Sequence, residues 1–437
     1  MKIGLEIHIA LPTRSKLFCA CSTSAERPNT AICPICMGFP GSKPMLNKEA
    51  VAVALGIANA LHCKINERMS FVRKVYFYPD LPKSYQITQL GGSIGETGYL
   101  QYDKKRVGIR RVQVEEDPAK IVREGAYTLL DFNRSGMPLV EVVTDPDMRS
   151  QEELWGFLRT LRSILYYLGI DIDKEVKADL NVSVAAGQDR VEVKNVTGIK
   201  NMVEAAKFEE ERQEQLVKEG ETVKQETRGY NEKKRATEAM REKETDEEYG
   251  YLYEPDLTVF DISKIRYKNP VYIDEVTHGL AEKYRANERT LKEITMFDSR
   301  SLERIERLKD RYRMQSIIHA IQRIKKFGRE DISDSDFEKI INLIDSDVEI
   351  TKYVISEVEK GREVVVKHAK LTEKELEKRV IAYIGENRHL LDDYRKNRKA
   401  ANLIINDVSK RENLHPKEVS KKVLEILDKA VNGELSI

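Results

Sequence analysis

The sequence predicts an α+β chain, sheet-rich with interspersed helices up to about Val271 and helical beyond it. Three observations carry that prediction. Apolar residues alternate with period two in several early segments, well-capped helical patterns lie between them, and strand patterns disappear after Val271. A chain of 437 residues is too long for one compact core, so two or three domains are expected.

The elements follow in order. In residues 2–11, Ile3, Leu5, Ile7 and Ile9 alternate with Gly4, Glu6 and His8, which puts Glu6 and His8 together on the face opposite the aliphatic row. The same alternation returns in residues 110–114, 139–143, 180–184 and 190–193. A helix is expected over 46–63 with Asn47 as its N-cap. A second spans 150–168, opening on the capping box Ser150/Glu153 and stopping before Gly169, and a third runs from about 201 to 220. The charge-dense stretch 207–249 reads as a solvated helix followed by an exposed loop. Residues 281–327, 335–360 and 372–433 read as successive helices, with 361–370 as a joint between helical units.

Composition narrows the function classes. Charged residues make up 34% of the chain, and no apolar run approaches the roughly 18–20 residues of a membrane span. The N-terminus alternates like a strand and shows no cleavage signal, so a cytoplasmic protein is expected. With 74 basic and 73 acidic side chains the net charge is +1, and any nucleic-acid contact must come from local basic clusters.

Four of the five cysteines fall close together. Cys19 and Cys21 form one pair and, eleven residues on, Cys33 and Cys36 form another, with Cys63 apart. Paired thiolates on two turns are how a tetrahedral structural zinc is held, and Pro34 and Gly38 suit the second turn. Acids form a second set: Glu6 beside His8, Glu141 among aliphatics, Glu115, Glu116 and Asp117 interrupting a strand, and Asp179, Glu192 and Lys194 further on. An acid on a strand is ordinarily a solvent-facing residue. Several acids and a histidine on neighbouring strands would instead suit a hard cation such as Mg²⁺ beside nucleotide phosphates. A third feature, Lys74–Gln86, crowds lysines and tyrosines around two prolines that fix the backbone, either as a surface loop or as a loop that binds phosphate or an acyl end. Neither a Walker A, a GxGxxG nor a kinase signature occurs, and no amidase nucleophile motif is present.

Taken in order, these motifs resemble the B-subunit family of the aspartyl/glutamyl-tRNA amidotransferases. The resemblance is carried by GLEIH at 4–8, SKLFCAC at 15–21, PNTAICPICMGFPGSKPMLN at 28–47 and RKVYFYPDLPKSYQITQ at 73–89. It continues through EEDPAK, DFNRSGMPLVEVVTDPD, VEVKN, QETRGY and the EPDL at 254–257. It spans the first 260 residues closely and the C-terminal helices more loosely. The resemblance implies a cradle domain around an antiparallel sheet with a zinc knuckle (residues 1–272), a helical domain (273–368) and a small helical tail (369–437). It implies ATP-dependent phosphorylation of the side-chain carboxylate of Asp-tRNA(Asn) or Glu-tRNA(Gln). Amidation would follow, with ammonia from the family's A subunit, a glutaminase, and with its small C subunit completing a heterotrimer.

Carried onto this sequence, the resemblance makes Glu6, His8, Glu116 and Glu141 the Mg²⁺ group, with Glu115 and Glu192 as further candidates. Lys74, Lys83, Lys194 and Arg134 would supply fixed positive charge, and Tyr78, Asp80, Tyr85 and Asn133 further ATP or substrate contacts. Continued alternation puts Glu116 on the Val112/Val114 face, so a bulge or strand end is expected there. Two basic clusters are expected to meet tRNA: Arg395, Lys396, Arg398 and Lys399, then Lys410, Arg411, Lys417 and Lys421. The alternative is a non-catalytic zinc-containing RNA-binding adaptor, which would lack ATP hydrolysis stimulated by mischarged tRNA.

Overall fold

The computed structural model describes residues 1–170, 176–184, 189–240, 250–346, 348–362, 364, 373–412, 416–432 and 435. The chain forms two compact units, Met1–Ile318 and His319–Ile437.

A nine-stranded sheet organises the first unit. From edge to edge its strands are Ala236–Ala239, Glu226–Asn231, Val191–Thr197, Lys177–Ser183, Lys2–Ala10, Pro138–Thr144, Lys105–Glu116, Gly95–Tyr102 and Lys64–Ile65. Neighbours pair antiparallel, except that Val191–Thr197 and Glu226–Asn231 run parallel, joined through the helix Ile199–Lys218. The first strand lies near the middle of the sheet. Its aliphatic row, Ile3, Leu5, Ile7 and Ile9, is at most 1% exposed and packs in one core with Val112, Val140 and Val142. Burying each such side chain contributes on the order of 2 kcal/mol. Helices Lys48–Ala60, Gln151–Leu168 and Ile199–Lys218 add their apolar faces to this core. Period two then leaves Glu6 and His8 on the sheet's opposite, open face.

Local signals set the helix ends. The Asn47 side chain accepts hydrogen bonds from the Glu49 and Ala50 amides. Ser150 accepts from the Glu153 amide, while the Glu153 carboxylate turns back to the Arg149 amide (2.8 Å) rather than to the cap itself. Gly169 closes that helix at φ 94°, a left-handed conformation that favours glycine.

The charge-dense stretch departs from its expected form. Its helix ends at Lys218, and strands Glu226–Asn231 and Ala236–Ala239 then extend the sheet; residues 241–249 lie outside the described residues. The physical reason is a buried ionic network. Glu209 is fully buried, accepts from Arg212 (2.8 Å) and Thr237, and pairs with Arg228 on the adjoining strand at 3.1 Å.

Smaller sheets frame the open face. Strands Gly250–Tyr253, Val72–Val75 and Tyr85–Thr88 form one, so the proline-rich segment expected as a free loop is the tip of an antiparallel pair. Arg73 clamps it, donating to both oxygens of the fully buried Glu254 at 2.7 and 2.8 Å. A two-stranded hairpin, Lys120–Glu124 with Tyr127–Asp131, forms another.

Helices Ile273–Tyr284, Glu288–Thr295 and Ser299–Leu308 complete the first unit, tied to it where Tyr167 donates its hydroxyl to Thr295 O at 2.6 Å. Among the described residues the second unit is helical throughout, with a separate core around Val380, Ile384, Ile404, Val419, Val423 and Leu427. Most of the expected joint at 361–370, and the boundary between 368 and 369, lie outside the described residues. No described helix is long and apolar enough to cross a membrane.

Candidate functional site

A cavity of about 1370 Å³ opens over the sheet's polar face. Strand register explains what lines it. His8 pairs with Glu141, and Glu141 with Gln113; Glu6 pairs with Asp179. Side chains from five adjacent strands, Val191–Thr197 included, therefore meet at neighbouring levels. Two ligand-like groups result, His8 with Glu115 and Glu141, and Glu6 with Asp179 and Glu192. Within each group, one donor atom from every residue lies within 4.8 Å of the others. Asp179 is aimed by a register shift between its strand and Val191–Thr197, where Asn195 takes φ 57° and donates its amide to the Asp179 carboxylate at 2.7 Å.

The electrostatics are those of crowded, partly desolvated acids. Burial raises the pKa of Glu6, and Glu141, Asp179 and Glu192 raise it further. Glu141 is pushed up by burial and then by Glu115, and Asp179 mainly by burial. For His8 burial acts downward, but the carboxylates of Glu115, Glu141, Asp179 and Glu6 outweigh it and hold the imidazole above its ordinary value. His8 Nε2 stands 3.5 Å from Glu115. Arg111 offsets part of this charge from 3.8 Å away at Glu141, and carboxylate oxygens with one imidazole form a donor set that fits hard divalent cations.

Around these acids the cavity wall carries Lys74, Asp80, Asn133, Arg134 and Lys194, all expected from sequence. Arg134 is held by Asp117, donating Nη2 to it at 2.8 Å. Among the described residues, Asp80 Oδ1 is buried without a hydrogen-bond partner, and burial raises that carboxyl's pKa. Arg111, Gln113 and Lys177 also line the cavity and were not expected. Their signal was available, because Arg111 and Gln113 share one parity with Glu115 in RRVQVEE, and Lys177 shares one with Asp179 in KADLNVS.

Four expected site residues stand elsewhere. No bulge returns Glu116 to the open face; it keeps the Val112/Val114 parity, pairs with Pro138 in register, and accepts the Ile87 amide at 2.8 Å. The Lys83 ammonium donates to both Glu116 oxygens at 2.5 and 2.7 Å, and both side chains are buried, so Lys83 is neutralised away from the cavity. The acid that alternation delivers to the site is Glu115. Tyr85 lies under the Arg73 guanidinium, 4.5 Å from its ring centroid, and Tyr78 is exposed; neither lines the cavity.

The cysteine cluster assembles locally. Sulfur atoms of Cys19, Cys21, Cys33 and Cys36 all lie within 4.8 Å of one another. Cys36 is held down to about 4 by a hydrogen bond from Cys19, while burial pushes Cys21 up to about 11. The Cys33 amide donates to Cys36 Sγ at 3.2 Å, and the Lys16 ammonium approaches the same sulfur at 3.6 Å. Lys16 is fully buried, which no motif in the sequence signals. Gly38 turns at φ 70°, where an added Cβ would stand 2.6 Å from Lys83 Cγ, so the knuckle's second turn requires glycine. Cys63 is apart, its thiol pushed by burial up to about 12.

In the second unit, Arg395 pairs with Asp392, Arg398 with Asp428 and Arg411 with Glu386, each at 3.1 Å, and Lys421 is exposed. The side chains of Lys396, Lys399, Lys410 and Lys417 lie outside what the structure describes.

Fold and cavity together define a class, an α+β domain with a large charged cleft over the open face of a mostly antiparallel sheet. Comparison with known proteins makes the assignment specific: residues 1–268 match the GatB/GatE catalytic domain, and the chain belongs to that family. It is 46% identical over 270 residues to a Methanoregula boonei protein named as the B subunit of aspartyl/glutamyl-tRNA(Asn/Gln) amidotransferase, covering 58% of this chain and 56% of the relative. Proteins of the same name from Sulfolobus acidocaldarius and Clostridium kluyveri are 43% and 40% identical over 310 and 295 residues. Those alignments cover 66% and 64% of this chain, and 66% and 61% of the relatives. The chain thus spans less than two thirds of the length of each.

Proposed function

We propose that this chain is the B subunit of a glutamine-dependent aminoacyl-tRNA amidotransferase, a carbon–nitrogen ligase of the cytoplasm, and that its cavity activates the misacylated carboxylate. In this reading a side-chain carboxylate oxygen of Asp-tRNA(Asn) or Glu-tRNA(Gln) attacks the γ-phosphorus of ATP, giving an acyl phosphate and ADP. Ammonia from a glutaminase partner then attacks the acyl carbon, phosphate leaves, and the amide forms. The observation that carries the reading is the pair of ligand groups, His8/Glu115/Glu141 and Glu6/Asp179/Glu192, facing one cavity.

These residues would hold Mg²⁺, which when bound neutralises phosphate oxygens during transfer. Lys74, Lys194 and Arg134 would fix the remaining phosphate or acyl oxygens. His8, kept basic by its carboxylates, would orient its imidazole toward the cation group. The four cysteines would hold a structural zinc, since all four positions are protein side chains and the sulfur spacing suits tetrahedral thiolates. The reading divides the chain into residues 1–272, 273–368 and 369–437, the first helices of the second part docking on the first.

The tail would bind tRNA through Arg395, Lys396, Arg398, Lys399, Lys410, Arg411, Lys417 and Lys421. The acids beside its exposed arginines form surface pairs worth only about 0–1 kcal/mol, which phosphate can replace. Removal of residues 369–437 is expected to raise KM for tRNA several-fold and flatten its salt dependence.

The test is to purify the chain with its glutaminase partner and the small C subunit, then supply ATP, glutamine and each misacylated tRNA. Conversion of either tRNA to its amide, dependent on ATP, is expected. ATP-independent binding without conversion of either would refute the reading.

A further inference from the structure

We propose that the cysteine knuckle is also the jig for one wall of the cavity, with Asn29 and Lys16 as its positioning residues. Asp131, the last residue of the hairpin strand Tyr127–Asp131, and Asn133 and Arg134, just after it, reach the cavity. The knuckle side holds this stretch at Leu130, Asp131, Phe132, Asn133 and Gly136. Asn29 Oδ1 accepts the Phe132 amide at 2.7 Å, its Nδ2 donates to Leu130 O at 3.0 Å, and its own amide donates to Asp131 Oδ1 at 3.0 Å. Asn133 is gripped from both ends, its Oδ1 accepting the Ala31 amide at 2.8 Å and its Nδ2 donating to Arg27 O at 2.6 Å.

Behind this layer the buried Lys16 divides its ammonium between Cys36 Sγ and Phe132 O, the latter at 3.1 Å, and the Leu17 amide donates to Gly136 O at 2.9 Å. Asn29 holds φ 59°, a left-handed conformation that asparagine tolerates better than most residues. A turn lying between the two cysteine pairs thus sets the backbone from which Asn133 and Arg134 project. Positions in a phosphate site matter at the ångström level, so slack in this lattice is read as weakened ligand binding.

The inference rests on the reading of the cavity as the ATP site, and its test separates the two. Asn29→Gly keeps the left-handed turn and removes both side-chain hydrogen bonds, while Asn29→Asp keeps the acceptor for Phe132 only. Each variant is made in the full chain within the assembled enzyme. Expected for Asn29→Gly are unchanged metal content, faster amide exchange confined to residues 130–134, and KM for ATP raised roughly 10-fold with little change in kcat. Asn29→Asp should fall between it and the wild type in both exchange and KM. Unchanged exchange, or faster exchange with unchanged KM, overturns the proposal. If Asn29→Gly loses its metal or its fold, the same two measurements on Asn29→Asp decide. A wild-type complex without ATP-dependent amidation refutes the functional reading instead, and the exchange pattern still decides the mechanical link.

Discussion

The cysteine knuckle and the acid cluster each gather side chains of metal-ligating type, yet they are built in opposite ways. The knuckle draws its four sulfurs from 18 consecutive residues, Cys19 to Cys36. The acid groups draw theirs from five strands, with residues as distant in sequence as Glu6 and Glu192. A local cluster fixes local structure and is legible as spacing. A tertiary cluster depends on strand order and register, and its members look like ordinary surface acids until the sheet is assembled.

If that contrast is right, breaking the knuckle should destroy structure and breaking the cavity should destroy chemistry. The largest effect is expected for Cys33→Ser. Metal affinity in a four-thiolate site is folding free energy, so this variant should lose its metal and much of its soluble, folded protein, whereas Cys63→Ser should keep both. Elemental analysis and thermal melts on the two variants check this.

Lys83→Met comes next and sharpens the boundary between the regions. It strands the buried Glu116 carboxylate, and a broken buried pair costs about 3–5 kcal/mol. The loss should appear in denaturant unfolding, with KM for ATP little changed in the protein that remains folded.

The smallest effect concerns pH. Glu6, Glu141 and Asp179 titrate above their ordinary values of 4.5, 4.5 and 3.8 when folded. Unfolded carboxyls therefore release protons first. Between those ordinary values and the raised folded ones the native state holds more protons, so the metal-free chain loses stability as pH rises through that window. A cation that displaces those protons should bind better as pH rises. The melting temperature gained on adding MgCl₂ should accordingly be larger at about pH 7.5 than at about pH 5. An equal gain at both values would argue against cation binding at these acids.

How much was legible follows from the same contrast. Period two alone placed Glu6 and His8 together, because the aliphatic residues between them can only face a core; Glu141, flanked by aliphatic residues of both parities, is brought to them by strand register. The caps Asn47 and Ser150 were readable because they act within one turn. By contrast, the strands Glu226–Asn231 and Ala236–Ala239 were hidden by their charges, since nothing local says that Glu209 will be buried to receive Arg228. Lys16 was invisible for the same reason. Glu116 shows a different failure. Alternation already put it on the core face, and the resemblance to a family motif had set that reading aside.

The adjacent pair Glu115 and Glu116 therefore offers the most direct test of where the chemistry lies. Each is replaced by glutamine in the assembled enzyme, and amidation of misacylated tRNA is measured with ammonium supplied in place of glutamine, beside the unfolding free energy. Glu115→Gln should lose about 10²-fold or more in rate at near-native stability, the scale of removing a fixed electrostatic contact from a transition state. Glu116→Gln should be destabilised by its stranded Lys83 and keep most of its activity per folded molecule. The reverse pattern, an active Glu115→Gln and a stable but inactive Glu116→Gln, would contradict the assignment of the reaction to the sheet's open face.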